Sequence, residues 1–157
     1  GHSLDGSDAV YSLAAYYNAI LNKTKLPEYE WNVQEDGSIR VTTKVHPKEV
    51  LLWQCTNTET RDFRIDTTGK TWTSSKLKPV SRGTYVGKVS EPAKGWTAFM
   101  VELTYAEPIK RGISTRGGGG LGQATGRVGA PFKFTSGVNV VPETMPFEFK
   151  PMPIPNR

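Results

Sequence analysis

Two runs dominate what this chain can fold into: Glu49–Asn57 (EVLLWQCTN) and Trp96–Tyr105 (WTAFMVELTY). Both are rich in β-branched, aromatic and aliphatic residues, the composition that suits a pleated, buried surface. In the second run, Phe99, Val101, Leu103 and Tyr105 alternate and so share one face of a strand. In the first, apolar groups stand at both parities, with Leu51, Trp53 and Cys55 on one side and Val50 and Leu52 on the other. A central strand covered on both sides reads this way, and which side faces the core stays open. Two such strands call for a β core, and neither carries chemistry.

The rest of the chain supplies shorter elements. Val10, Leu13, Ala14, Tyr17, Ile20 and Leu21 recur at helical spacing and form one apolar stripe that must bury against something. Ser7 or Asp8 can cap this helix, which ends near Asn22-Lys23 because Pro27 forbids its continuation. Beyond Pro27 the period becomes alternating. Strands are expected at 30–34, 38–45, 63–66, 71–75, 83–89, 132–135 and 139–141, with Glu35-Asp36-Gly37 and Thr67-Thr68-Gly69 as turns. Short strands at this even spacing predict a mainly β fold, an immunoglobulin- or fibronectin-III-like β-sandwich preceded by one amphipathic helix. The rhythm breaks near 107–131, a glycine-rich insert with little apolar content. The last stretch is proline-rich and is expected to lie extended, anchored by Met145, Phe147 and Phe149.

Composition narrows the function classes. The net charge is +5, but Lys and Arg are scattered among acids with no run of five, which argues against a nucleic-acid partner. No segment holds 18 consecutive apolar residues, so no membrane-spanning helix is expected. The single cysteine, Cys55, rules out an intrachain disulfide and reads as a buried small hydrophobe. The opening GHSLDG suggests a processed piece of a longer chain.

Cofactor and metal motifs fail on context. Gly117, Gly119 and Gly122 formally satisfy G-x-G-x-x-G, but Gly126, Gly129 and Pro131 preclude the helix that a dinucleotide site needs. His2, His46 and Cys55 show no metal-ligand spacing, so neither a metal nor a cofactor is expected. Trp31, Trp53, Trp72 and Trp96 could form a carbohydrate platform, but in a small sandwich such rings more often fill core or interface.

Three positions are candidate sites. Arg61-Asp62-Phe63-Arg64 sets two guanidinium groups around one carboxylate, suited to binding an anion or to clamping a strand edge or domain interface. Asn22-Lys23-Thr24 is a glycosylation sequon, relevant if the protein is secreted. On the residues alone His2 reads as a surface histidine; the other reading is that it precedes an amphipathic helix, the chain order in which an α/β-hydrolase carries its histidine base. There a neutral imidazole takes the nucleophile's proton.

Taken together, GHSL (1–4), SLAAYYNAIL (12–21), PEYEW (27–31), EVLLWQCTNTETRDFR (49–64), TGKTW (68–72), GWTAFMVELTY (95–105) and VNVVPETMPF (138–147) resemble, in order, the C-terminal part of the PhoPQ-activated pathogenicity-related protein family. The resemblance implies an α/β-hydrolase-like protein, related to serine peptidases and esterases, with a C-terminal β-sandwich. Residues 1–26 would then hold the histidine loop and last helix of the hydrolase part, 27–149 the sandwich, and 150–157 a proline-rich tail. His2 aligns with the triad histidine, while this sequence has no G-x-S-x-G elbow, so the chain alone is expected to be inactive. The implied location is secreted or periplasmic. The implied partners are the N-terminal hydrolase-like portion of the same protein and an extracellular protein or receptor. The alternative is a non-enzymatic extracellular signalling, growth-repressor or binding module.

Overall fold

A computed structural model describes residues 9–106, 131–145 and 147, with side chains from residue 12 onward. His2, the cap at Ser7 or Asp8, the side chain of Val10, the insert at 107–130 and Phe149 lie outside the described residues. The elements run α1 (Ala9–Leu21), β1 (Tyr29–Val33), β2 (Ile39–Thr43), β3 (Glu49–Asn57), α2 (Ile65–Thr68), β4 (Thr73–Lys76), β5 (Thr84–Gly87), β6 (Trp96–Tyr105), β7 (Phe132–Thr135) and β8 (Asn139–Val141).

The strands form two antiparallel sheets. One has the order β1-β2-β5. The other runs β4-β3-β6-β7, with β8 also on β6. β1 and β2 are joined at a tight turn where Gly37 takes φ 76°. Asp36 fixes that turn by accepting hydrogen bonds from the Ser38 amide (3.1 Å) and hydroxyl (2.6 Å).

The core lies between the sheets. Ile39, Val41 and Tyr85 come from the first, and Val50, Leu52, Phe99, Val101, Leu103 and Tyr105 from the second. Register settles the question that sequence left open for β3. Val50 stands opposite Leu103 and Leu52 opposite Val101, so these face inward. Leu51, Trp53 and Cys55 face outward with Glu102, Met100 and Ala98. Cys55 is still buried, and its Sγ lies 3.2 Å from Thr71 Oγ1, between α2 and β4. Gly87 on β5 lets the sheets close, because a Cβ there would lie 2.7 Å from Val101 Cγ2 and 3.0 Å from Leu52 Cδ1.

β6 is paired on both edges: β3 covers Trp96–Thr104 on one, and two short strands share the other. β7 covers Glu102–Tyr105 and β8 covers Thr97–Phe99 on the same side. Ser136 bridges the gap between them. Its amide donates to Val101 O (2.9 Å), and its hydroxyl accepts from Val101 N (3.0 Å) and donates to Gly137 O (2.8 Å). Among the described residues three hydrogen bonds tie the sheets together: Tyr105 Oη to Thr43 Oγ1 at 2.7 Å, Tyr29 Oη donating to Thr135 O at 3.1 Å, and Asn139 Nδ2 donating to Gly37 O at 2.8 Å.

Three expectations need correction. Residues 63–66 are not a strand: α2 begins at Ile65, because Asp62 accepts the Arg64 amide (3.1 Å) and turns the chain, while Arg64 O accepts from the Thr67 and Thr68 amides. Met145 and Phe147 are exposed, so neither anchors the tail. None of the four tryptophans belongs to the inter-sheet core, which Phe99 and Tyr105 already fill. Trp31 instead seals an open side of the sandwich by packing its ring on Gly137.

Candidate functional site

Three regions of the described chain offer something to a ligand or partner. The first is α1, which is apolar on two opposite faces. Ala15 and Ala19 join the buried cluster that holds Phe132, and α1 packs against β7. Small residues let the helix backbone come close to the sheet. On the far side, Leu13 (65%), Tyr17 (59%), Ile20 and Leu21 are exposed. At about 100° per residue, Tyr17 stands about 180° from the midpoint of Ala15 and Ala19. A helix that is apolar all round belongs in an interior. Sequence reading identified the large-residue stripe but missed the alanine face, the signal for which was the four-residue spacing of Ala15 and Ala19.

The helix ends where Lys23 adopts φ 51°. Asn22 is exposed at this end, with Nδ2 donating to Asn18 O at 2.8 Å. Thr24 follows, its amide held by Ala19 O (2.8 Å). The sequon therefore sits on an exposed helix terminus, off the Tyr17 stripe.

The second region is the loop after β3. Asn57 organises its start: Oδ1 accepts from the amides of Glu59 (3.0 Å) and Thr60 (3.1 Å), and Nδ2 donates to Asp62 O (2.7 Å). Asp62 organises its end. It accepts from Arg64 Nε (3.0 Å), Arg64 Nη2 (2.6 Å) and Thr67 Oγ1 (2.8 Å). The Arg64 guanidinium, first, and its amide and Thr67, after it, hold the Asp62 carboxyl well below the usual carboxylate range. Arg64 and Asp62 thus satisfy one another, and the cluster does not present two open guanidiniums. Arg61 is apart from this pair, half-buried, with Nε buried and without a hydrogen-bond partner.

The third is a cleft of about 350 Å³ below the end of α1, floored by Leu26, Val45, Tyr105 and Phe132 with His46 at its side. Lys25 and Lys44 close on Glu28 at its rim, at 2.6 and 2.7 Å, and lower the Glu28 pKa from 4.5 to about 2. Among the described residues no group of three or more His, Cys, Asp or Glu could hold a metal ion. No helix among them is long and apolar enough to cross a membrane.

Comparison with known proteins gives a lineage. Residues 1–64 match the family model described as PhoPQ-activated pathogenicity-related protein. Autocrine proliferation repressor protein A of Dictyostelium discoideum is 30% identical over 166 residues, covering 93% of this chain and 31% of that protein. The chain therefore spans about a third of the length of the curated relative it matches. No solved structure matches it. These findings agree with the resemblance read from the sequence: residues 1–64 match the model of the PhoPQ-activated pathogenicity-related protein family, and along most of its length the chain is similar to that repressor protein.

Proposed function

We propose that this chain is the sandwich-bearing C-terminal part of a secreted or periplasmic α/β-hydrolase-like protein, inactive alone, with the sandwich as an accessory or interaction domain. The observation that carries this reading is the two-faced α1. Its Ala15–Ala19 side is already seated on the sandwich, and its Leu13–Tyr17–Ile20–Leu21 side needs a second apolar layer. In this reading α1 is the last helix of the hydrolase part and is shared between both bodies. The strand order β1-β2-β5 facing β4-β3-β6-β7 supports an immunoglobulin/fibronectin-III type for the sandwich.

In the whole protein, His2 acts as general base toward a serine supplied from outside this chain, since a lone triad member cannot activate a nucleophile it lacks. Arg61, Asp62 and Arg64 fix the loop after β3 against the hydrolase part, and Asn22 carries a glycan in a eukaryotic source. The printed name of the Dictyostelium relative favours a second reading, a non-enzymatic extracellular growth-repressor module that binds a receptor. A fluorophosphonate serine-hydrolase probe applied to the full-length protein separates the two. The first reading expects labelling that His2→Ala reduces at least tenfold. An unlabelled full-length protein that still slows proliferation when added to cells would support the second.

A further inference from the structure

β1 is an edge strand whose outer side has no partner among the described residues. Its inner side is committed to β2. The Lys44 amide donates to Glu28 O (3.4 Å) and the Gln34 amide to Ser38 O (2.8 Å), so the even-numbered residues of this segment point their backbone groups at β2. Tyr29, Trp31 and Val33 therefore direct their N–H and C=O groups outward. The strand carries no proline, no lysine and no bulge, and Glu30 is its one charged side chain. The opposite sheet's edge, β4, is wholly exposed and ends in Lys76.

We propose that this edge is a self-association surface, at which two copies of the chain pair their Tyr29–Val33 strands antiparallel about a two-fold axis at Trp31. That register sets Trp31 opposite Trp31, Tyr29 opposite Val33 and Glu30 opposite Asn32. Every outward backbone group of the strand then meets one from the other copy in a hydrogen-bonded pair, about six bonds in all. Moving the axis to Glu30 would set two carboxylates directly opposite, which is unfavourable.

Charge supports the same alignment. Asn32 is in register with Arg40 on β2, so Glu30 of the second copy lies two strand spacings, about 10 Å, from Arg40 on the same face. At the start of β1, Lys25 and Lys44 surround Glu28, leaving a net positive end. At its far end, Glu35 and Asp36 with Lys88 leave a net negative one. Antiparallel pairing brings the positive end of each copy to the negative end of the other. The exposed apolar groups Trp31 and Val33 lie at the new junction, and the two three-stranded sheets become one of six strands.

Sedimentation velocity on the full chain over a range of concentrations tests this. A concentration-dependent dimer is expected. Asn32→Glu, which places a carboxylate opposite Glu30 twice per dimer while still facing Arg40 in its own chain, should weaken association about tenfold at low salt. Adding Glu30→Lys should restore it, a rescue that a general loss of folding would not show. Tyr17→Glu on the α1 stripe should leave the dimer unchanged. A monomer at all concentrations, a dimer indifferent to Asn32→Glu, or one abolished by Tyr17→Glu would overturn the proposal.

Discussion

Replacing Gly87 with alanine isolates how closely the two sheets approach. Gly87 lies in β5 opposite Ile39 and has no positive φ, so alanine suits the backbone there. On conformational grounds the change should stabilise by ~0.4–1 kcal/mol, because alanine has fewer unfolded states. The space is absent, however: the new Cβ would lie 2.7 Å from Val101 Cγ2 and 3.0 Å from Leu52 Cδ1, with Leu77 Cδ1 at 3.7 Å. Val101 and Leu52 are themselves buried between the sheets. Forcing one carbon into a close-packed core costs ~1–3 kcal/mol. The steric term wins, with a net loss of about 1–2 kcal/mol once the backbone gain is set against it. In a thermal melt of a chain this size that corresponds to a fall of roughly 3–6 °C. Val101→Ala removes the atom that clashes, so combined with Gly87→Ala it should cost less than the sum of the two single changes, by about 1 kcal/mol. Urea melts of the four variants would measure this coupling. A neutral or stabilising Gly87→Ala, or strict additivity with Val101→Ala, would refute the close approach.

Ser136→Ala should destabilise by ~1–3 kcal/mol, because it leaves the Val101 amide without its acceptor inside the protein. Hydrogen exchange at Val101 should rise with it. Tyr105→Phe should cost only ~0.5–1.5 kcal/mol, since Thr43 Oγ1 keeps Val45 O as a partner at 2.8 Å; a chemical melt would read the difference. Glu28 should titrate with a midpoint near 2, below its ordinary 4.5, because Lys25 and Lys44 favour its charged form. A depressed folded pKa means that the stabilisation is present above pH 4.5 and is lost as pH falls toward 2. NMR of the Glu28 carboxyl should show this, and added salt should move the midpoint upward. Asp62→Ala removes the acceptor for Arg64 and Thr67, and the resulting loop at 58–70 should be cut faster by trypsin than in the unaltered chain.

The strands that sequence reading placed best are the most apolar. β3, β6, β7 and β8 begin and end where they were expected, because runs such as WTAFMVELTY have one sensible burial pattern. Residues 63–66 were misread for a local reason. Phe63 and Ile65 look like strand residues, but the Asp62 side chain captures the Arg64 amide and starts a helical turn, a competition that apolar periodicity does not register. The facing of β3 was illegible because both parities are apolar, and only its register with β6 resolved it. At the candidate sites, the Asp62–Arg64 pairing could be anticipated from spacing, whereas the separation of Arg61 from that pair could not. Ser136 carried no signal at all: its hydroxyl matters only because β7 and β8 leave one β6 amide between them.

The pairing of β3 with β6 also constrains how the chain is made. The two strands are separated in sequence by α2, β4 and β5, so β3 leaves the ribosome well before its main partner exists. At cellular synthesis rates that interval is on the order of seconds. Throughout it, a nine-residue strand with apolar groups on both faces has only β4 available to pair with. Translation halted before Trp96 would leave this strand as the most aggregation-prone segment of the nascent protein, and slow synthesis across residues 58–95 would prolong its dependence on chaperones.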